Sequence, residues 1–165
     1  MEWTSCFDCP TDGAVLLNDT RKPARPQPRL EDFPHRVSEN VRFGDMDVQG
    51  HVNNTVIAQY FETGRVMMFR QSDLRFGGQG VIVVLAHTEI SFLRELHWPA
   101  SIEIGTGVAE VGRSSYTLVH GVFRGEHCIA FGRATLVMID RETRRATPLA
   151  EDFIARLADW TYRGE

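Results

Sequence analysis

A chain of 165 residues with a net charge of −4 and a pI near 5.9 can bury one substantial core, and a single main domain is the expectation. Hydrophobic residues at 42% and charged residues at 24% exclude wholesale disorder. The acidic balance argues against nucleic acid as the main partner, because that function leaves a basic stripe.

The first 34 residues hold Pro10, Pro23, Pro26, Pro28 and Pro34, five of the seven prolines. Proline removes a backbone donor and disfavours helix in the residue before it, so this stretch reads as an irregular arm and residues 35–165 as the folded domain. The arm carries Cys6 and Cys9, a lone CxxC. Two thiolates leave a tetrahedral zinc half coordinated, so chance spacing is the preferred reading and no metal is expected. With Cys128 the cysteines number three. An odd count closes no disulfide framework and suits a reducing compartment. No basic-then-apolar leader opens the chain and no apolar run reaches the length of a membrane span. A soluble cytoplasmic protein without a membrane partner is the expectation.

After the arm, His35 to Phe43 (HRVSENVRF) reads as a first strand. Val56, Ile57, Tyr60, Phe61, Gly64, Met67 and Met68 then recur three or four apart, one apolar face of a long helix that Gly77-Gly78 would stop. Gly64 sits inside that face although glycine costs a helix about 1 kcal/mol against alanine. Close approach of another backbone is the expected use. Residues 81–96 show the period of a strand, Trp98-Pro99-Ala100 a turn, and residues 102–108 alternate again. Ser115–Phe123 and Cys128–Ile139 flank Arg124-Gly125-Glu126, a hairpin signal. The last strand is apolar in both phases. A sheet face that its own helix leaves uncovered must be buried elsewhere, so self-association is expected. Thr147 as cap, Pro148 at the first helical position, and Glu151 and Asp152 in the first turn predict a closing helix. The element order is that of an α+β fold, one long helix against an antiparallel sheet.

Residues 44–54, GDMDVQGHVNN, stand just before the long helix. Taken singly they are structural: Asn53 or Asn54 caps the helix, Asp45 or Asp47 complements its dipole, and Gly50 bends the backbone. Together they offer more. A helix start presents unpaired N–H groups and a partial positive charge that can hold an oxyanion, and a nearby carboxylate can attack an acyl group or activate water.

The stretch VRFGDMDVQGHVNN followed by YFETGR resembles the hotdog-fold acyl-CoA thioesterases of the 4-hydroxybenzoyl-CoA thioesterase type, whose pattern is an aromatic, DxDxxGHVNN, then YFExAR. The matching residues are Phe43, Asp45, Asp47, Gly50, His51, Val52, Asn53, Asn54, Tyr60, Phe61, Glu62 and Arg65. The resemblance covers roughly residues 36–140. It implies a long central helix wrapped by a curved antiparallel sheet, a homodimer, often a dimer of dimers, and no metal or organic cofactor. By position, Asp47 matches the catalytic nucleophile or general base, and Asn54 the residue whose backbone N–H polarises the thioester carbonyl. His51 would serve catalysis directly or hold the turn, while Gly50 and Asn53 shape the substrate site and Asp45 is structural. Another hotdog branch uses a glutamate on this helix, but here Glu62 has Arg65 one turn on and an ion pair explains it. Ile57 stands where an aromatic is usual and Gly64 replaces an alanine.

Gly112-Arg113-Ser114-Ser115 is similar to the family's pantetheine and CoA contact, which makes Arg113, Ser114 and Ser115 candidate substrate-binding residues; an arginine with two hydroxyls can hold phosphate. Arg94, Arg144 and Arg145 are further phosphate candidates. The acyl chain would run near Ile57, Tyr60, Phe61 and Met68. Hydrolysis of an acyl-CoA thioester is the implied activity. Three alternatives stand beside it. The first is a hotdog protein that binds acyl-CoA without turnover. The second is a thioesterase for acyl carrier protein, whose plant members read DxNxHVNN where this chain has Gln49 and carry a second hotdog repeat. The third is a hydratase, whose usual Asp–His spacing is five rather than the four between Asp47 and His51.

Overall fold

The computed structural model describes residues 27–72 and 80–164. Cys6, Cys9, most of the arm's prolines and Gly77-Gly78 therefore lie outside the described residues. In chain order the elements are β1 (His35–Asn40), α1 (Asn54–Gln71), β2 (Val81–Phe92), β3 (Ser101–Val111), β4 (Ser115–Arg124), β5 (His127–Asp140) and α2 (Glu151–Ala158). Five strands form one antiparallel sheet in the order β1-β3-β4-β5-β2, and α1 packs across one face of it. This is the α+β hotdog arrangement that the element order and the motif pointed to.

Helix α1 starts where its signals place it. Asn53 is the N-cap, its side-chain oxygen accepting the Thr55 N–H at 2.8 Å. Its buried residues are Ile57, Tyr60, Phe61, Gly64, Arg65, Met68 and Phe69, a stripe of helical period laid against β3 and β4. Val56 and Met67, expected on that face, are only half-buried, and Phe69 takes the inward place beyond Met68. Gly64 is needed for close approach, as its position suggested. A Cβ there would stand 2.6 Å from Thr106 Oγ1 and 2.7 Å from Ile104 Cγ2. Both neighbours are fully buried and β-branched, so neither can swing aside. Gly64→Ala is expected to lose about 1 kcal/mol or more in a urea unfolding series, because overpacking outweighs the gain in helix propensity.

Helix α1 ends at Gln71, short of Gly77-Gly78, with the Ser72 N–H donating back to the Met68 carbonyl at 3.0 Å. Three further boundaries differ from the sequence reading, each for a local reason. β1 stops at Asn40 rather than Phe43, because residues 43–45 close a 3₁₀ turn in which the Arg42 N–H donates to Asp45 Oδ2 at 2.7 Å. β2 stops at Phe92, since the Leu93 and Arg94 N–H groups both turn to the Ile129 carbonyl, at 2.8 and 3.1 Å. Helix α2 begins at Glu151 with Ala150 as cap, not at Thr147. The Thr147 N–H is taken by the Met138 carbonyl at 2.9 Å and that of Leu149 by Arg113 at 2.8 Å, which holds residues 147–149 on the sheet edge. Glu151 and Asp152 do occupy the first turn.

The arm's last residues were expected to be irregular. Instead Leu30–Asp32 form a 3₁₀ turn that drives Phe33 onto the second face of the sheet, where it is fully buried. The space for its ring is the side-chain-free pair Gly105 and Gly121, opposite each other across β3 and β4. Phe123, Phe131 and Tyr162 complete the cluster, with Phe33 edge-on to Phe123 at 5.6 Å. The segments flanking the sheet, Leu30–Phe33 and Tyr162, thus cover part of the face that the two-phase pattern of β5 left for a partner. Leu85 and Phe92 on the edge strand β2 stay 50% and 47% exposed. No described helix is long and apolar enough to cross a membrane.

Candidate active site

Residues 46–52 form a tight hairpin. Met46 and Val52 bridge, the Asp47 N–H donates to the His51 carbonyl at 2.9 Å, and the Gly50 N–H donates back to the Asp47 carbonyl at 3.2 Å. The loop is Val48, Gln49 and Gly50, and Gly50 has φ +86, the left-handed residue that such a three-residue loop requires. Asp47 and His51 are therefore opposed across the turn, which is why residues four apart in sequence meet outside a helix. His51 Nδ1 lies 3.3 Å from Asp47 Oδ2, and both side chains remain about a quarter exposed, 25% and 21%. The other carboxylate oxygen, Oδ1, accepts the Gln49 N–H at 2.8 Å, which sets the rotamer. The result is a carboxylate held from two sides and open to solvent.

The same hairpin delivers the helix start. The Asn53 N–H donates to the Asp45 carbonyl at 2.9 Å, and the next residue, Asn54, opens α1. The N–H groups of Thr55, Val56 and Ile57 are taken by the Asn53 side chain or carbonyl. Among the described residues the Asn54 N–H has no acceptor, and it stands at the positive end of an 18-residue helix. Asp45 is structural, as expected. Its Oδ2 takes both the Arg42 N–H and the Tyr60 hydroxyl, each at 2.7 Å, and ties the hairpin to the second turn of α1. Burial and the neighbouring carboxylate both push the Tyr60 phenol well above its ordinary pKa, so it stays a donor. Tyr60→Phe is expected to lose about 1.5–3 kcal/mol in chemical unfolding, the range for a hydrogen bond to a charged group. The sequence reading gave this tyrosine to the helix's apolar face, the family motif and the acyl path, and did not foresee its bond to Asp45.

The connection after β2 reaches the turn from outside. Val52 N–H donates to the Leu96 carbonyl at 2.7 Å, and the side chains of both are buried in one cluster. His97 Nδ1 lies 2.9 Å from the Gly50 carbonyl oxygen, with Glu95 Oε2 3.4 Å from its Nε2. The sequence reading passed over His97, whose only signal was its place beside the Trp98-Pro99 turn. An exposed edge-to-face pair, Phe43 and Trp98 at 5.5 Å, borders the same region.

The remaining candidates lie elsewhere. Arg113, Ser114 and Ser115 occupy the β3–β4 turn, at the opposite end of β3 from the hairpin side, where Val41 N–H donates to the Ala100 carbonyl. Eleven residues of β3 separate the two ends, roughly 35 Å if straight, so one chain does not bring this turn to Asp47 and Asn54. Arg144 and Arg145 sit in the loop after β5, and Arg94 follows β2. Ile57, Tyr60, Phe61 and Met68, expected near the acyl chain, are filled core at 3%, 5%, 3% and 0% exposure. Glu62 lies 3.7 Å from Arg65, the expected ion pair. No group of three or more His, Cys, Asp or Glu among the described residues is arranged to hold a metal.

Comparison with known proteins follows the same lines. The chain is 28% identical over 122 residues to the uncharacterised protein YsmA of Bacillus subtilis, covering 73% of this chain and 81% of that one. The PA5185 protein of Pseudomonas aeruginosa superposes with a TM-score of 0.76 at 25% identity, over 85% of this chain and all of that one. A Thermus thermophilus thioesterase complexed with coenzyme A and Zn superposes with a TM-score of 0.69 at 34% identity, over 77% of this chain and 94% of that one. The match to the family model spans residues 41–157, from just before the hairpin to the end of α2, and by it the chain belongs to the thioesterase-like superfamily.

Proposed function

We propose that this protein hydrolyses an acyl-CoA thioester to the free acid and CoA. The observation that carries the reading is one hairpin holding both parts of the chemistry: a solvent-reaching Asp47 carboxylate braced by His51, and a helix start whose Asn54 N–H is unspent. Membership of the thioesterase-like superfamily supports thioester hydrolysis in general, and the coenzyme A bound by the Thermus relative supports CoA as the leaving thiol. With Asp47 as general base, it takes a proton from water and the hydroxide adds to the carbonyl. The oxyanion is held by the Asn54 N–H, and the C–S bond breaks as the thiolate leaves and is protonated. With Asp47 as nucleophile, a mixed anhydride forms first and water then cleaves it. Gly50, without a side chain, and Asn53 flank the approach.

Arg113, Ser114 and Ser115 can join this site only from a second copy, since in one chain β3 separates them from it. A homodimer follows as part of the proposal, with the exposed edge of β2 free for pairing. The test is release of free thiol from a panel of short, long and aromatic acyl-CoAs. Turnover of at least one class is the expected result. CoA binding with no release from any member would overturn it in favour of a non-catalytic acyl-CoA-binding protein, and turnover confined to acyl carrier protein thioesters would change the carrier.

A further inference from the structure

We propose that His97 is a positioning residue for the Asp47–His51 turn, acting by donating its Nδ1–H to the Gly50 carbonyl; this rests on the thioesterase reading above. Among the described residues, the hydrogen bonds that reach residues 47–52 from elsewhere in the chain come from Leu96 and His97. Leu96 holds the arm of the hairpin at Val52, and His97 holds the loop itself at Gly50. The loop needs such a hold. Val48 is fully exposed, Gln49 and Gly50 are exposed, and Gly50 is the residue with the most backbone freedom.

The carbonyl oxygen is an acceptor only, so at 2.9 Å the proton between the two atoms belongs to His97 Nδ1. That bond fixes the plane of the Gly50–His51 peptide. The same peptide begins His51, whose ring reaches back to Asp47 Oδ2 at 3.3 Å, and the two imidazoles stand 6.3 Å apart. On the other side of His97, Glu95 Oε2 lies 3.4 Å from Nε2, and it holds the ring there only when Nε2 carries a proton as well as Nδ1. Releasing Gly50 would let this peptide rotate. His51 would then move relative to Asp47, whose Oδ1 stays tied to the Gln49 N–H within the loop.

The amide nitrogen of asparagine overlays imidazole Nδ1, whereas that of glutamine overlays Nε2. His97→Asn should therefore keep the donor to Gly50, and His97→Gln and His97→Ala should lose it. Thiol release by the full chain is expected to show kcat reduced about ten- to a hundredfold in the Ala and Gln variants, the scale of a misplaced catalytic group, with KM within about twofold. The Asn variant is expected to stay within about threefold of wild type. A second readout is independent of turnover: ¹⁵N relaxation dispersion should show new microsecond-to-millisecond exchange at residues 47–51 in the Ala and Gln variants and not in the Asn variant. Equal kcat in all three variants with an unchanged turn would overturn the assignment, as would an Asn variant that falls as far as Ala. Absence of turnover in the wild type would overturn the thioesterase reading, while the relaxation data would still decide whether His97 holds the turn.

Discussion

Asp47→Asn is expected to lower kcat for thioester hydrolysis by about 10²- to 10⁴-fold, the range for loss of a general base. The substitution is sharp because it changes charge and little else. Asparagine keeps an Oδ1 that can accept the Gln49 N–H, which now sets the aspartate rotamer at 2.8 Å, so the turn should survive. Its amide can still face His51, although it can neither remove a proton from water nor attack a thioester carbonyl. The backbone bonds that build the hairpin, Asp47 N–H to His51 and Gly50 N–H to Asp47, do not involve the side chain at all. Stability should accordingly change by no more than about 0.5 kcal/mol, as for a substitution outside the core. The acyl-CoA KM should also hold, because the substitution leaves the Asn54 N–H, the proposed oxyanion donor, untouched. Steady-state thiol release with both proteins side by side, together with a urea midpoint for each, checks all three. Equal release by the two would remove Asp47 from its role and direct attention to Glu62, the one carboxylate on α1 itself. A fall in kcat accompanied by a fall in midpoint would instead assign Asp47 to holding the turn.

Much of this arrangement was legible in the chain. Local signals placed the start of α1 and the β4–β5 hairpin to within a residue or two, since Asn53 caps with its own side chain and Gly125 turns the strands with φ +57. The motif likewise located Asp47, His51 and the helix start in one stretch, and they share one hairpin. What local pattern could not supply was anything decided by distant backbone. Thr147-Pro148 is a good helix start by composition, yet the Met138 and Arg113 carbonyls capture that segment from β5 and the β3–β4 turn. Phe33 looked like part of an irregular arm because the slot that receives it is made by glycines more than 70 positions on. His97 and Gly50 are 47 residues apart and meet only because β1 and β3 pair beneath them, Asn40 opposite Ser101. Arg113–Ser115 illustrate the converse: the motif marked them beside Asp47 in role, yet the length of β3 keeps their turn from the hairpin within one chain.

Acid is expected to weaken this fold well before its carboxylates titrate, through His120. This residue is wholly buried on the helix side of β4, stacked on Phe61 of α1 at 5.1 Å with the rings 21° apart. Its Nδ1 meets Thr106 Oγ1 at 3.3 Å, and among the described residues Nε2 has no partner. Desolvation, with the positive charge of Arg65 added, pulls its pKa down to about 3. The unfolded chain returns it to the ordinary value near 6.5. Above that pH the ring is neutral in both states and costs nothing. As pH falls from 6.5 towards 3 the unfolded chain binds a proton that the folded chain refuses, so stability declines, by as much as about 1.4 kcal/mol per pH unit. His35, also lowered by burial, acts with the same sign. Asp140, whose pKa is lowered by the Thr143 N–H and hydroxyl, loses its contribution only below the carboxylate range, so the interval between pH 4.5 and 6.5 belongs mainly to the histidines. His120→Phe keeps a ring on Phe61 and removes the titration. Urea unfolding from pH 4.5 to 7.5 should show wild type losing stability more steeply with acid than this variant, by a slope of order 1 kcal/mol per pH unit. Parallel slopes would mean that His120 is solvated or paired in solution and would defeat the argument. The consequence reaches the site, because Phe61 lies on α1 one position from Tyr60, the residue that ties Asp45 and its hairpin to the helix. Charge placed under Phe61 disturbs the element that presents the Asn54 N–H, so loss of turnover in acid should follow the unfolding curve of each protein.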